Sequence, residues 1–256
     1  MPAAGTEKQT GGIIKMKNIY AMSDIHGDLK GFEDMLKKIN FSDEDDLFIL
    51  GDVIDRGPHG IKIIQKIMAS KNMRMLLGNH EHMMLEAYGY PYDDVACYDG
   101  DALEIWVDNG GDKTLKEMNK LDIDERTEIV RFLYNLPLEY RIRLKNLKRY
   151  ALCHAMPIGV YEKLPKRMKG EKGDAYFCVW TRELFDDLDK YRIEGIDGVI
   201  FGHTPTANIQ GLSKSTGKMR MFDDGYFKLI DCGNAYKNYG GRLSCLNLNT
   251  MEVIYG

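Results

Sequence analysis

The five cysteines of this 256-residue chain form no C-x-x-C pair. No apolar run approaches the roughly 20 residues that span a bilayer. The first absence argues against a zinc knuckle or a thioredoxin-type site. An odd set of cysteines (Cys97, Cys153, Cys178, Cys232 and Cys245) reads as reduced, mostly buried thiols in a cytoplasmic protein. The second argues against a membrane partner, and no apolar stretch of a secretory signal follows the first residues. A basic surplus is also missing: 35 Lys+Arg stand against 39 Asp+Glu, so no nucleic-acid partner is expected. The composition of a disordered chain is absent too, since 44% of the residues are hydrophobic and the net charge is only -4. A chain of this length buries a sizeable core without disulfides.

There is no internal repeat and no long linker. Residues 1–16 begin small, polar and glycine-rich and are predicted to be a flexible tail. Residues 17–256 are predicted to form one domain. Within it the apolar runs alternate between two periods. Asn18 to Ser23, Leu47 to Leu50 and Met73 to Leu77 are short strands. Leu29, Phe32, Leu36 and Ile39 recur at helical spacing, as do Ile61, Ile64 and Met68. This is β-α-β-α-β, the pattern of a parallel sheet with crossover helices. A helix is predicted over Glu125 to Asn135. Further strands are predicted over Arg149 to Cys153, Val199 to Phe201 and Phe227 to Ile230. A closing meander is predicted over Leu243 to Leu248 and Glu252 to Tyr255.

What is present at the strand ends matters most. Asp24-Ile25-His26-Gly27 follows the first strand, with a hard oxygen and an imidazole two residues apart. Gly51-Asp52-Val53-Ile54-Asp55-Arg56-Gly57 follows the second, with two carboxylates and a guanidinium between glycines that permit a sharp turn. Gly78-Asn79-His80-Glu81 follows the third, and His154 and His203 each end a later strand. Each cluster has an ordinary structural explanation. Asp-x-His is common by chance, Asp with Arg can be a solvated turn pair, Asn79 can be a helix N-cap, and a lone histidine can be a satisfied core residue. Five such clusters at successive strand ends are not five coincidences, because ligands of α/β sheets gather outside the carboxyl ends of strands.

Taken together, these motifs resemble the metal-dependent phosphoprotein phosphatase family, within the calcineurin-like metallophosphoesterases. Further likeness to its small bacterial and phage branch lies in Asn109-Gly110-Gly111, Leu152-Cys153-His154-Ala155, Trp180-Thr181-Arg182-Glu183 and Phe201-Gly202-His203-Thr204-Pro205. The resemblance runs from about Asn18 to Tyr255. It implies an α/β fold, a four-layer α/β/β/α sandwich in a single domain. It also implies two divalent metal ions. Asp24, His26 and Asp52 would hold the first, and Asp52, Asn79, His154 and His203 the second, with Asp52 bridging. Mixed oxygen and nitrogen donors suit manganese first, then iron or zinc, more than calcium. The implied chemistry is direct attack on phosphorus by a hydroxide shared between the metals. His80, held protonated by Asp55, would protonate the leaving oxygen, and Arg56 and Arg182 would bind phosphate oxygens.

The implied substrates are phosphoserine and phosphothreonine proteins or peptides, extending to phosphotyrosine. The alternative is a symmetrical diadenosine tetraphosphate hydrolase acting on dinucleoside polyphosphates. Leu77 stands where many protein phosphatases carry Arg, and Pro58 follows Arg56-Gly57, as in those hydrolases; Asp55 and Glu81 favour the protein phosphatases. Arg74 is three residues before Leu77 and so points the wrong way along a strand to replace the missing Arg. A non-catalytic scaffold on the same fold is a remote third reading, since no ligand position is degenerate. Tyr88 to Asp101 alternates tyrosine with aspartate, which reads as a surface loop or as a lid favouring basic peptides. His59 and His82 read as structural.

Overall fold

The computed structural model describes residues 17–89, 99–166, 169, 172–182, 184, 187–208 and 217–256. The predicted tail over 1–16 and the greater part of the Tyr88 to Asp101 segment lie outside the described residues.

The first half folds as its periodicity predicts. Strand β1 (Ile19–Met22) leads through helix α1 (Leu29–Lys38) to β2 (Asp46–Ile49), and α2 (Gly60–Met68) leads to β3 (Met73–Met75). The Asp28 carboxylate accepts the Gly31 N–H at 3.1 Å and so starts α1, while Lys37 and Lys38 suit its negative end. β1, β2 and β3 pair in parallel. Helix α3 (Asn79–Tyr88) follows directly, then α4 (Gly100–Trp106), a kinked turn over Val107–Gly111, α5 (Asp112–Met118) and α6 (Ile123–Tyr134). Gly78, not Asn79, occupies the N-cap of α3, so the capping explanation of Asn79 is wrong. The third strand is also shorter than expected. Leu76 N–H still reaches Ile49 O at 2.8 Å, but Leu77 N–H turns to Pro137 O at 3.1 Å.

The second half contributes β4 (Glu139–Arg143), β5 (Arg149–Cys153), α7 (Ile158–Lys163), α8 (Gly173–Trp180), β6 (Gly198–Phe201), β7 (Arg220–Phe222) and β8 (Phe227–Leu229). β9 (Ser244–Asn247) and β10 (Val253–Tyr255) end the chain. One sheet has the order β10-β9-β1-β2-β3 and the other β4-β5-β6-β8-β7. The C-terminal meander therefore does not close the second sheet. It crosses back, with β9 antiparallel to β1.

The alternation of side chains in each strand sorts them into layers. Ala21, Phe48, Leu152, Ile200 and Leu246 meet between the two sheets. Met22, Leu47 and Ile49 face outward onto Phe32, Ile64 and Met84 of the helices. Ala151, Val199 and Phe201 do the same against Val160 and Phe177. The observed architecture is the α/β/β/α sandwich, with three buried apolar layers. Each fully buried large side chain contributes about 1.5–3 kcal/mol.

Candidate metal centre

Parallel strands end on the same side of a sheet, so their polar terminal residues meet at one rim. Asp24 follows β1, Asp52 follows β2, Asn79 opens α3 after β3, His154 follows β5 and His203 follows β6. With His26 they are all 5% exposed or less. The structure thus gathers every predicted ligand, separated by up to 179 residues, in one buried cluster.

Backbone geometry makes the gathering possible. Asp24, His26, Asp52, Asp55, Arg56 and His203 all adopt positive φ, between 48° and 69°. Each such non-glycine residue costs on the order of 1–3 kcal/mol unless surrounding contacts hold it, and such strain concentrates at functional sites. Gly51 (φ 92°) is needed for closeness as well: a Cβ there would sit 2.6 Å from Gly78 Cα and 2.8 Å from His154 Nδ1.

Asp52 lies at the middle. Its Oδ2 is 3.9 Å from His26 Nε2 and 4.0 Å from His80 Nε2, and its Oδ1 is 3.4 Å from His154 Nε2. Two donor groups result, His26 with Asp52 and His80, and Asp52 with His154 and His203, each with its atoms within 4.8 Å of one another. Asn79 Oδ1 joins the second, 3.0 Å from His154 Nε2 and 2.7 Å from His203 Nδ1. Asp24 sits beside both, accepting the Ser23 hydroxyl and, at 3.0 Å, the His203 N–H.

Backbone carbonyls choose the tautomers. His26 Nδ1 faces Ile54 O at 3.2 Å and His154 Nδ1 faces Leu50 O at 2.7 Å. A proton on each Nδ1 leaves Nε2 with a free lone pair toward Asp52. In His203 the order is reversed, since Nε2 faces Trp180 O at 3.1 Å and Nδ1 is left as the donor atom. Burial holds all three imidazoles below the ordinary range, with neighbouring His80 and Arg56 adding to this at His26. Neutral imidazoles are the form that binds metals.

The carboxylates behave oppositely. Burial pushes Asp52 well up, reinforced by Asp24 and Glu81. Asp231, which follows β8 and is 2% exposed, is pushed up by burial and by Asp24. A cluster of buried carboxyl groups among neutral imidazoles lacks positive charge, and a buried charge is stable only when paired or bound to a metal. The donor set of two aspartates, one asparagine and three histidines fits divalent transition ions.

His80 differs from the other imidazoles. Its Nδ1 lies 2.7 Å from Asp55 Oδ2, while its own N–H donates to Asp52 Oδ1 at 3.0 Å. Asp55 is completely buried, and burial raises its carboxyl to about 7. Burial, with Arg56 next, pushes His80 well below the usual imidazole range. The expected orientation of His80 by Asp55 is present. The pocket by itself opposes the imidazolium.

At the rim, Arg56 is exposed, with Nη1 3.3 Å from His26 Nε2 and its guanidinium 5.5 Å from the Tyr236 ring centre. Arg182 is exposed and reaches His203 O at 3.4 Å. Leu77 is buried in the core, and Arg74 is engaged with Asp46 at 2.9 Å, away from the strand ends.

Sequence reasoning gave three residues too little. Glu81 was read only as a family discriminator. Its fully buried carboxylate accepts the N–H groups of Asp52 (2.9 Å), Val53 (2.9 Å), Ile54 (3.2 Å) and Gly78 (3.1 Å), pinning the second loop to the start of α3. A glutamate three residues into a helix is the visible signal. Asp231 and Thr114 carry no motif that marks them in the sequence. Cys153 and Cys232 are buried as expected, and burial pushes the Cys232 thiol up to about 12, which makes it a poor nucleophile.

Comparison with known proteins agrees with this geometry. Residues 17–207 match the calcineurin-like phosphoesterase family. The chain is 28% identical over 200 residues to serine/threonine-protein phosphatase 2 of Escherichia coli (strain K12), covering 76% of this chain and 83% of that protein. It is 41% identical over 73 residues to the symmetrical bis(5'-nucleosyl)-tetraphosphatase of Buchnera aphidicola subsp. Schizaphis graminum, covering only 28% of this chain and 27% of that protein. Its fold is similar to a protein serine/threonine phosphatase from Saccharomyces cerevisiae, with a TM-score of 0.57, 15% identity, and 94% and 79% of the two chains covered. A match that runs from the first strand past His203 leaves the family in no doubt: the chain belongs to the calcineurin-like phosphoesterases, hydrolases of phosphoric esters.

Proposed function

We propose that this chain is a phosphomonoesterase of phosphoserine and phosphothreonine peptides, with activity extending to phosphotyrosine, and that it works with two divalent ions, manganese first. The observation that carries the reading is the position of Asp52, one carboxylate between two imidazole groups. Asp24, His26 and Asp52 would hold one ion; Asp52, Asn79, His154 and His203 would hold the other. When bound, such a pair supplies Lewis acidity at the phosphoryl oxygens and activates the water that attacks.

The chain's own residues do the rest. Arg56 and Arg182 bind phosphate oxygens from the rim and fix the ester in line for displacement. His80 gives its Nε2 proton to the leaving oxygen and becomes the neutral imidazole, while the Asp55 carboxylate accepts a hydrogen bond from the retained Nδ1–H and keeps the ring from turning. Burial opposes the charged form of His80, and the phosphate anion beside it supplies the opposite charge that favours it.

A second reading has its own support. Leu77 lies in the core where a phosphate-binding arginine would otherwise stand, and a relative 41% identical over 73 residues is named as a symmetrical tetraphosphatase. Manganese-loaded enzyme separates the two. The proposal expects kcat/KM at least about tenfold higher on a phosphoserine peptide than on diadenosine tetraphosphate; the reverse order, by the same factor, would assign the site to dinucleoside polyphosphates.

A further inference from the structure

The Asn109-Gly110-Gly111 motif has no place in the chemistry above, although it lies within reach of it. It forms the kinked turn between α4 and α5, where Gly110 takes φ 100°, and that turn is folded against the second loop. Gly110 O accepts the Arg56 N–H at 2.9 Å. One helical turn later, Thr114 Oγ1 accepts the Asp55 N–H at 2.9 Å and donates to Asp55 Oδ1 at 2.6 Å. One turn earlier, Trp106 Nε1 donates to Asp55 Oδ2 at 2.9 Å. Trp106 and Thr114 are both 0% exposed.

These contacts fall on the two residues with the least comfortable backbone in the loop. Asp55 and Arg56 have φ of 68° and 63°, and outside a tight hairpin such left-handed non-glycine residues persist where surrounding contacts hold them. The restraint comes from one segment, which bonds both N–H groups in succession. The same segment saturates the Asp55 carboxylate. Trp106 and His80 share Oδ2, and Thr114 takes Oδ1. The glycine at 111 is what lets the indole arrive: a Cβ there would lie 2.5 Å from Trp106 Nε1.

We propose that Trp106, the Gly110-Gly111 turn and Thr114 form a positioning clamp, absent from the metal-binding motifs, that fixes the Asp55 carboxylate and thereby the proton-donating orientation of His80. None of these residues touches substrate. The inference rests on the reading of His80 as the proton donor to the leaving oxygen. It makes the Thr114 hydroxyl the determinant of activity on esters with poor leaving groups, because only those need the proton.

The test uses the full-length, manganese-loaded protein and two substrates. A phosphoserine peptide has an alkoxide leaving group, and 4-nitrophenyl phosphate has one that leaves without a proton. Thr114→Val removes both hydroxyl bonds at constant shape; Thr114→Ser keeps both. Trp106→Phe keeps an aromatic ring and removes the N–H, and it carries the test if Thr114→Val fails to fold. The clamp predicts that Thr114→Val and Trp106→Phe lower kcat on the peptide about 10- to 100-fold, with less than about threefold loss on 4-nitrophenyl phosphate and KM nearly unchanged, while Thr114→Ser restores the peptide rate. It also predicts that the Trp106 indole N–H resonance, read in metal-free protein by NMR, shifts in Thr114→Val and not in Thr114→Ser. Equal loss on both substrates, or no loss on the peptide, overturns the clamp. His80→Asn is the control. If it is selective for the peptide while the clamp variants are not, the clamp alone fails. If His80→Asn is itself unselective, the reading of His80 fails and takes the clamp with it.

Discussion

The two sheets build the centre in different ways. The first supplies its residues in groups: Asp24 with His26, Asp52 with Asp55 and Arg56, Asn79 with His80. The second supplies single residues, His154, His203 and Asp231, one per strand. The reason lies in what holds each. First-sheet loops turn through left-handed residues and are held by several side-chain anchors, chiefly Glu81 and Thr114. Second-sheet histidines are oriented largely by the rest of the site. His154 is fixed by Leu50 O and His203 N–H by Asp24, both from the first sheet. A dense motif thus marks the side that sets the geometry, and an isolated histidine marks the side that receives it.

The largest expected effect tests whether Asp52 joins the two sides. Asp52→Asn keeps the shape and removes the shared charge. Metal content after manganese loading should fall below one ion per chain, and kcat should fall about 1000-fold or more, matching the several kcal/mol that metal-centred charge stabilisation supplies. His26→Ala should instead leave about one ion per chain on the Asn79, His154 and His203 side. Elemental analysis reads both. Retention of two ions in Asp52→Asn would break the picture of a shared carboxylate.

A middle-sized effect concerns Glu81. Burial raises its carboxyl from the usual 4.5 to about 7 against the pull of the backbone N–H groups. The native state therefore holds more protons than the unfolded state between those values, and this contribution to stability is lost as pH rises from 4.5 to about 7. The shift corresponds to roughly 3 kcal/mol. The histidines act in the opposite sense: their lowered values mean that stability is lost as pH falls below 6.5. Glu81→Gln isolates the glutamate. Urea unfolding of metal-free protein should show wild type losing roughly 3 kcal/mol relative to Glu81→Gln across that pH interval. A difference that does not change with pH would remove Glu81 as the titrating anchor.

The smallest effect lies where the two sheets agree. Cys245 of the first sheet, Cys153 of the second, Cys178 of α8 and Cys232 beyond β8 are buried, and burial raises all four thiols. Native protein at pH 8 should leave these four unlabelled by iodoacetamide, and unfolding should expose them all. Peptide mapping by mass spectrometry would detect labelling of any of them in the native state and so contradict the packing.

The first-half elements were legible because periodicity and turn residues are local. Leu29, Phe32 and Leu36 have helical spacing in any context, and Asp28 caps the helix from one residue away. The metal-binding candidates were legible for the same reason, as short motifs. Thr114 and Trp106 were not. Each is an ordinary residue in a helix, and only the fold brings Thr114, 59 residues away, onto Asp55. Asn79 was readable as a cap until the backbone placed Gly78 there and sent the amide to two histidines. The C-terminal strands were readable as strands, yet their partner was not, because a strand's pattern states which face is buried and not which edge it joins.

By itself the sequence determined the local elements, the chemical types at the strand ends and, through those motifs, the family. Tertiary structure alone decided that β9 lies beside β1, that backbone carbonyls set which nitrogen of His26, His154 and His203 faces the cluster, and that a distant threonine and tryptophan hold Asp55. The division follows from range. Spacing along the chain encodes contacts over a turn or a strand, whereas hydrogen-bond partners across a packed core depend on where every other layer comes to rest.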